Sequence, residues 1–518
     1  MTTKTETRAS DAKSGNAQTY GNYIGGKWVK AQGGETFHSY NPVNTSEIVG
    51  TFALSGPADV KAAVDAAAKA LPAWRRTPAP ARAEMLSKAG HLLEARKEEI
   101  ARAMTREMGK VIKEARGDVQ EAIDMAYFMA GEGRRLMGQT VPSELPNKFA
   151  MAIRQAIGVV GVITPWNFPV AIPSWKIFPA LVAGNTVVFK PATDTSLCGA
   201  LFVEVLVEAG FPEGVVNLVT GGGGKVGMAI VEDPRVRAIS ITGSTEVGKQ
   251  VAGRCGELMK RISCELGGKN AICVMEDADI ELAVDGALWG AFGTAGQRCT
   301  AASRVIIHRD RYKEFSEKLV ARTKALKIGN GLETDVEVGP VVNKSQLKSI
   351  NEYVEIGKKE GAKLLFGGRI LEEGELSKGC FHEPTIFGDV KPTMRIAQEE
   401  IFGPVVALIQ VNSFEEAIEV ANGTDYGLSL SMYTRDVNRA FTAIHELESG
   451  IVYINAPTIG AEIQLPFGGI KQTGNGHREA GTTAIDQFTE WKAVYVDYSG
   501  RLQKAQIDTH GVSATDKE

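Results

Sequence analysis

Ile157-Gly158-Val159-Val160-Gly161-Val162-Ile163 is a short run rich in β-branched residues, closed by Thr164-Pro165. Such a run marks a strand buried on both faces. A helix is expected from near Pro173, which suits a first helical turn, to Gly184-Asn185, where glycine suits a helix end. Thr186 to Lys190 is strand-like again, and Ser196 to Ala209 reads as a helix closed by Gly210. Val215 to Val219 reads as a strand, Gly224 to Glu232 as a short helix and Val236 to Thr242 as a strand. Strand–helix units in series predict an α/β fold with a doubly wound parallel sheet, whose ligands sit at the carboxyl ends of the strands.

The flanking sequence supplies covering layers. Ala58 to Leu71 and Pro80 to Met108 are helical, and Val60, Val64, Ala67 and Leu71 mark one apolar face. Gln139 to Ala156 has no helical period and alternates, so it reads as an extended hairpin or arm. A second α/β pattern begins after Asn270: Ala271 to Val274, a helix from Asp279, then Arg304 to His308. Ala493 to Tyr498 is a further β-like segment, and no internal repeat is evident.

Composition narrows the function. A chain of 518 residues is too long for one core and splits into domains. Its net charge of −4, without a Lys/Arg-rich block, argues against nucleic acid or an acidic membrane as partner. The most apolar stretch, Phe168 to Val182, is broken by three prolines and Lys176, so it is no bilayer span. The polar start shows no signal peptide. Six cysteines without C-x-x-C or zinc spacing predict no metal site, no disulfide framework and a reducing compartment, the cytoplasm.

Chemistry concentrates in a few strings. Cys299 stands in Gln297-Arg298-Cys299-Thr300 after the small-residue turn Gly293-Thr294-Ala295-Gly296. A thiol there is a nucleophile once a base or a lowered pKa activates it. Glu265, in Glu265-Leu266-Gly267-Gly268, is the natural carboxylate for that base work. Asn167, at the end of the first strand, offers an amide donor for an oxyanion or else merely makes a turn. Two glycine strings compete for a pyrophosphate: Gly222-x-Gly224-x-x-Gly227, and Thr242 to Gly248, where Ser244 opens a helix. Lys190 ends a strand and reads either as a ribose or phosphate ligand or as a surface lysine. No histidine stands in a catalytic string; His477 comes nearest, so a Cys–His hydrolase gains little support.

Together these strings resemble the aldehyde dehydrogenase superfamily, from about Tyr23 to Tyr498. The motifs appear in the expected order: PWNFP at 165–169, FKPA at 189–192, TGSTEVG at 242–248, ELGGKN at 265–270, GQRCT at 296–300, EEIFGP at 399–404 and PFGG at 466–469. The resemblance implies Cys299 as nucleophile, Glu265 as general base, and Asn167 with the Cys299 N–H as oxyanion hole. Lys176 and Glu479 match residues proposed to relay protons. Thr164, Pro165, Trp166, Lys190 and Thr193 would contact NAD, Lys190 at the adenosine ribose. Gly243, Ser244 and Val247 would meet the pyrophosphate, and Glu400 and Phe402 the nicotinamide riboside. Phe168 and Phe467 would line the aldehyde tunnel. It also implies a dinucleotide-binding domain over residues 19–138 and 157–268, and a catalytic domain over 269–475. Residues 139–156 with 476–518 would form a β oligomerisation arm and C-terminal segment, making a homodimer or homotetramer, and residues 1–18 a disordered tail.

The implied reaction is oxidation of a small-molecule aldehyde to a carboxylate through a Cys299 thioester that Glu265-activated water hydrolyses. Thr193 stands where the family often carries a glutamate against the adenosine ribose, so NADP is open beside NAD. Gly460-Ala461-Glu462-Ile463 and the end of the chain resemble the aminoadipate-semialdehyde branch, and the Phe168–Ala180 stretch resembles 2-oxoglutarate-semialdehyde dehydrogenases. Arg298 then either grips a substrate carboxylate at two points or pairs structurally. Competing classes are a CoA-acylating relative, disfavoured by Glu265, a cysteine hydrolase, and an idle structural protein on the same fold.

Overall fold

The computed structural model describes residues 18–507, so all but Gln18 of the expected tail lies outside the described residues. The run that opens the sequence argument forms Val159–Ile163, the third strand of a seven-stranded sheet and the middle one of its five parallel strands. Five strands of this sheet run parallel in the order Arg261–Glu265, Val236–Thr242, Val159–Ile163, Thr186–Lys190 and Val216–Leu218. Asn22–Ile24 and Lys27–Val29 extend it as an antiparallel edge. The chain leaves Val159–Ile163 to one side first and returns to the other, so the winding reverses between Val159–Ile163 and Val236–Thr242. That reversal opens a crevice at the strands' carboxyl ends, where Thr164–Phe168 and Thr242–Ser244 lie.

A second sheet takes the order Lys363–Phe366, Thr385–Gly388, Val405–Val411, Ala302–His308, Asn270–Val274, Ser429–Tyr433 and Ile451–Ile454. All its pairings are parallel except that of Lys363–Phe366. The alternating segment makes the hairpin Gln139–Pro142 and Lys148–Ala156, and the C-terminal strand Thr489–Asp497 pairs along the whole second strand of that hairpin.

Local chemistry explains the boundaries. The Asp279 side chain caps Ile280–Phe292, accepting from the Leu282 N–H at 3.2 Å. Ala171–Val182 starts two residues before Pro173, because the Asp118 carboxylate takes the Ala171 N–H at 2.7 Å. The single helix expected over Pro80 to Met108 is two, Ala79–Ala95 and Lys97–Met108, parted at Arg96, which leaves helical geometry to bond Glu99 and Glu204.

Candidate active site

The turn that presents Cys299 is conformationally tense. Three successive residues adopt left-handed backbone, Thr294 at φ 53°, Ala295 at φ 52° and Gly296 at φ 68°. Only glycine takes that region at little cost. Gly296 is also required sterically, since a Cβ there would lie 2.1 Å from the Gly403 carbonyl oxygen. Glu114 holds the turn from a helix 180 residues upstream. Its buried carboxylate accepts from the Thr294 N–H at 2.9 Å, the Thr294 hydroxyl at 3.1 Å and the Arg298 guanidinium at 3.0 Å.

Cys299 and Glu265 open onto one cavity of about 60 Å³, walled by Phe168, Trp175, Phe467 and Thr242. Trp175 and Phe467 meet edge to face at 5.0 Å, and Phe168 is pinned beneath the Lys110 ammonium at 3.5 Å. Burial, with Glu265 and Glu400 nearby, pushes the Cys299 thiol up to about 12, while the backbone N–H groups of Thr300 and Cys299 oppose that rise. The resting thiol therefore keeps its proton at neutral pH. Glu265 ends its strand with both carboxyl oxygens buried and without a hydrogen-bond partner among the described residues. Burial and the Glu479 charge hold its pKa well above the ordinary carboxylate range. Gly468, at φ 149°, lets the chain pass so close that a Cβ would lie 2.6 Å from a Glu265 oxygen. Behind Glu265 lies a buried ion pair between Lys176 and Glu479, with the Lys176 ammonium also 3.1 Å from the Ser240 hydroxyl. Asn167 is buried, and its side-chain oxygen has no partner.

Arg298 faces the cavity and also an outer vestibule of about 490 Å³. Its side chain is already engaged by Glu114, the Thr294 hydroxyl at 3.0 Å and the Trp289 ring at 5.0 Å. Sequence reasoning did not single out Glu114, Glu121 or Thr458. Glu121 lines both spaces, and burial pushes its carboxyl up to about 8.

The crevice of the first sheet suits a dinucleotide. Ser244 caps Thr245–Glu257, accepting from the Val247 N–H at 3.4 Å, and Gly243 beside it faces open space. A helix start of this kind offers N–H groups and positive dipole to phosphate. Thr164 and Thr242, at the ends of two adjacent strands, carry buried hydroxyls without partners among the described residues. Lys190 ends the next strand with its ammonium 2.6 Å from the Pro191 carbonyl, and burial lowers its pKa to about 8. Pro165 follows Thr164, and Thr193 opens a short turn beyond Lys190. On the facing side, Glu400 accepts from the Gly268 N–H at 2.9 Å, and Phe402, at φ 55°, sets its ring 5.3 Å from Trp166.

Fold and site define an α/β protein built on two seven-stranded sheets, in which a half-buried thiol and a buried carboxyl share a cavity beside a nucleotide-binding crevice. Residues 28–494 match the model of the aldehyde dehydrogenase family. The alpha-ketoglutaric semialdehyde dehydrogenase of Bacillus subtilis is 46% identical over 478 residues, covering 92% of this chain and 98% of the relative. The alpha-ketoglutarate semialdehyde dehydrogenase of Haloferax volcanii is 44% identical, covering 92% and 99%. Among solved structures, the betaine aldehyde dehydrogenase of Staphylococcus aureus in complex with NAD+ superposes with a TM-score of 0.91 at 34% identity, covering 93% of this chain and 95% of that one. The chain belongs to the aldehyde dehydrogenase family and is an NAD(P)-dependent aldehyde dehydrogenase.

Proposed function

We propose that the enzyme oxidises a semialdehyde that carries a carboxylate, of the 2-oxoglutarate-semialdehyde class, to the dicarboxylate. The observation that carries the chemistry is the unpartnered Glu265 carboxyl in one cavity with the Cys299 thiol. Cys299, its proton released to solvent through the cavity, bonds its sulfur to the aldehyde carbon. The alkoxide so formed takes hydrogen bonds from Asn167 and the Cys299 N–H. Lys190, Ser244 and Glu400 would hold NAD(P)+, which when bound would accept the hydride leaving that same carbon. With the carbon now a Cys299 thioester, Glu265 in its base form withdraws a proton from water, with the Lys176–Glu479 pair behind it to relay that proton onward. The water oxygen bonds the carbonyl carbon and the sulfur leaves.

Arg298 supports a carboxylate-bearing substrate, because its guanidinium lines both cavity and vestibule. Glu121 on the same wall favours a second reading, aminoadipate semialdehyde, whose amino group it would face. We place NAD ahead of NADP, since Asp194 beside Thr193 leaves the adenosine side acidic. The exposed Trp491 and Tyr495 on the arm's edge strand support a homodimer or homotetramer, and six free thiols support a cytoplasmic setting. A spectrophotometric panel of aldehydes, including semialdehyde acids and an amino-bearing one, with each nicotinamide cofactor tests the reading. Equal kcat/KM for neutral and carboxylate-bearing aldehydes would overturn it.

A further inference from the structure

The strand that begins at Asn270 carries a side chain the reaction above does not use. Asn270 is buried, and its amide nitrogen donates to two carbonyls of the nucleophile's turn, that of Cys299 at 2.7 Å and that of Ala301 at 2.9 Å. Its oxygen accepts from the Ser429 N–H at 3.0 Å, which fixes which way the amide faces. The carbonyl between those two, of Thr300, accepts from the Thr458 hydroxyl at 2.7 Å. Ser429 closes the ring by donating its hydroxyl to the Thr458 carbonyl at 2.7 Å. Thr458 and Ser429 are fully buried. Gly268 keeps the approach open, since a Cβ there would lie 2.7 Å from the Cys299 oxygen.

A peptide unit is planar, so its C=O and the following N–H point in opposite directions. The Cys299 carbonyl gripped by Asn270 shares its plane with the Thr300 N–H, one of the two backbone donors that oppose the rise of the Cys299 pKa. Holding the oxygen on one side therefore aims the donor on the other. Thr458 stands two residues before Gly460, and Gly460 and Ala461 line the aldehyde cavity. We propose that Asn270 is a positioning residue that aims the Thr300 N–H at the Cys299 sulfur, and that Thr458 ties this arrangement to the loop lining the aldehyde cavity. The proposal rests on Cys299 being the nucleophile and goes beyond it by naming what orients its donors.

Alkylation of Cys299 by iodoacetamide, located by peptide mass spectrometry and followed from neutral to alkaline pH, tests this on the cofactor-free enzyme. The groups facing the sulfur, Glu265 and Glu400, stay in place in every variant. Asn270→Ala should move the alkylation profile to higher pH and slow the reaction at a fixed neutral pH about tenfold, the effect of one misaimed donor to a charged atom. A profile coinciding with that of the wild type in a folded Asn270→Ala enzyme would overturn the proposal. The readout is taken on the thiol alone, so it stands apart from whether an aldehyde is oxidised. If Asn270→Ala does not fold, Thr458 decides. Thr458→Val should lower the rate of the cofactor-reduction burst about fivefold with aldehyde KM little changed, and Thr458→Ser should restore it. Equal bursts from the valine and serine variants would overturn the coupling.

Discussion

Replacing Glu114 with alanine should cripple the enzyme although Glu114 touches no reacting atom. Thr294 and Ala295 are held left-handed at φ 53° and 52°, a conformation costing roughly 1–2 kcal/mol for each L-residue. The turn therefore stores about 2–4 kcal/mol. Against it, Glu114 accepts from three donors, the Thr294 N–H, the Thr294 hydroxyl and Arg298. Hydrogen bonds to a charged group contribute about 1.5–3 kcal/mol each, so the clamp outweighs the strain. Without the carboxylate the strain persists and the partly buried Arg298 loses its counter-charge. Breaking such a pair costs about 3–5 kcal/mol. Relaxation of the turn would also move Cys299, and a displacement of order 1 Å lowers rate about 10²-fold. Urea unfolding and a rapid-mixing burst read the two effects separately. Adding Ala295→Gly to Glu114→Ala should recover part of the stability, because glycine takes the left-handed region at little cost. A Glu114→Ala enzyme with the wild-type midpoint and burst would refute the clamp.

Other consequences follow from the same geometry. Glu265→Gln should keep the burst of reduced cofactor and slow steady turnover; losing the burst instead would remove Glu265 from the hydrolytic step. Because the Glu265 carboxyl titrates well above its usual range and acts on water as the base form, deacylation should rise with pH over a range higher than that of an ordinary carboxylate. Glu265→Gln should flatten that limb, and a steady-state rate falling over the same range would contradict the sign. Arg298→Ala should raise KM for semialdehyde acids more than for aldehydes lacking a carboxylate; equal changes would assign Arg298 to the Glu114 clamp alone. Asn167→Ala, which removes one oxyanion donor, should lower the burst rate about 10²–10³-fold, and an unchanged burst would dismiss that role.

The central strands were legible because buried parallel strands write themselves as β-branched runs, and Asp279 announced a helix start through an ordinary cap. Cys299, Glu265 and Ser244 were legible because each lies at an element's end among small residues, where backbone approaches a ligand. Glu114 was not, since nothing in a helix's first turn points to a partner 180 residues away. Of the three left-handed residues only Gly296 carries a signal, because Thr294 and Ala295 are held there by tertiary bonds rather than by preference. The hold of Asn270 on the Cys299 carbonyl was hidden for the same reason, although both stand in quoted motifs.

The most direct measurement is rapid acid quench of the Glu265→Gln enzyme mixed with an aldehyde and oxidised cofactor, followed by mass spectrometry of the Cys299 peptide. That peptide should carry the acyl group in an amount matching the cofactor reduced. Reduced cofactor formed with the Cys299 peptide unmodified, or an acyl group found on another residue, would contradict the assignment.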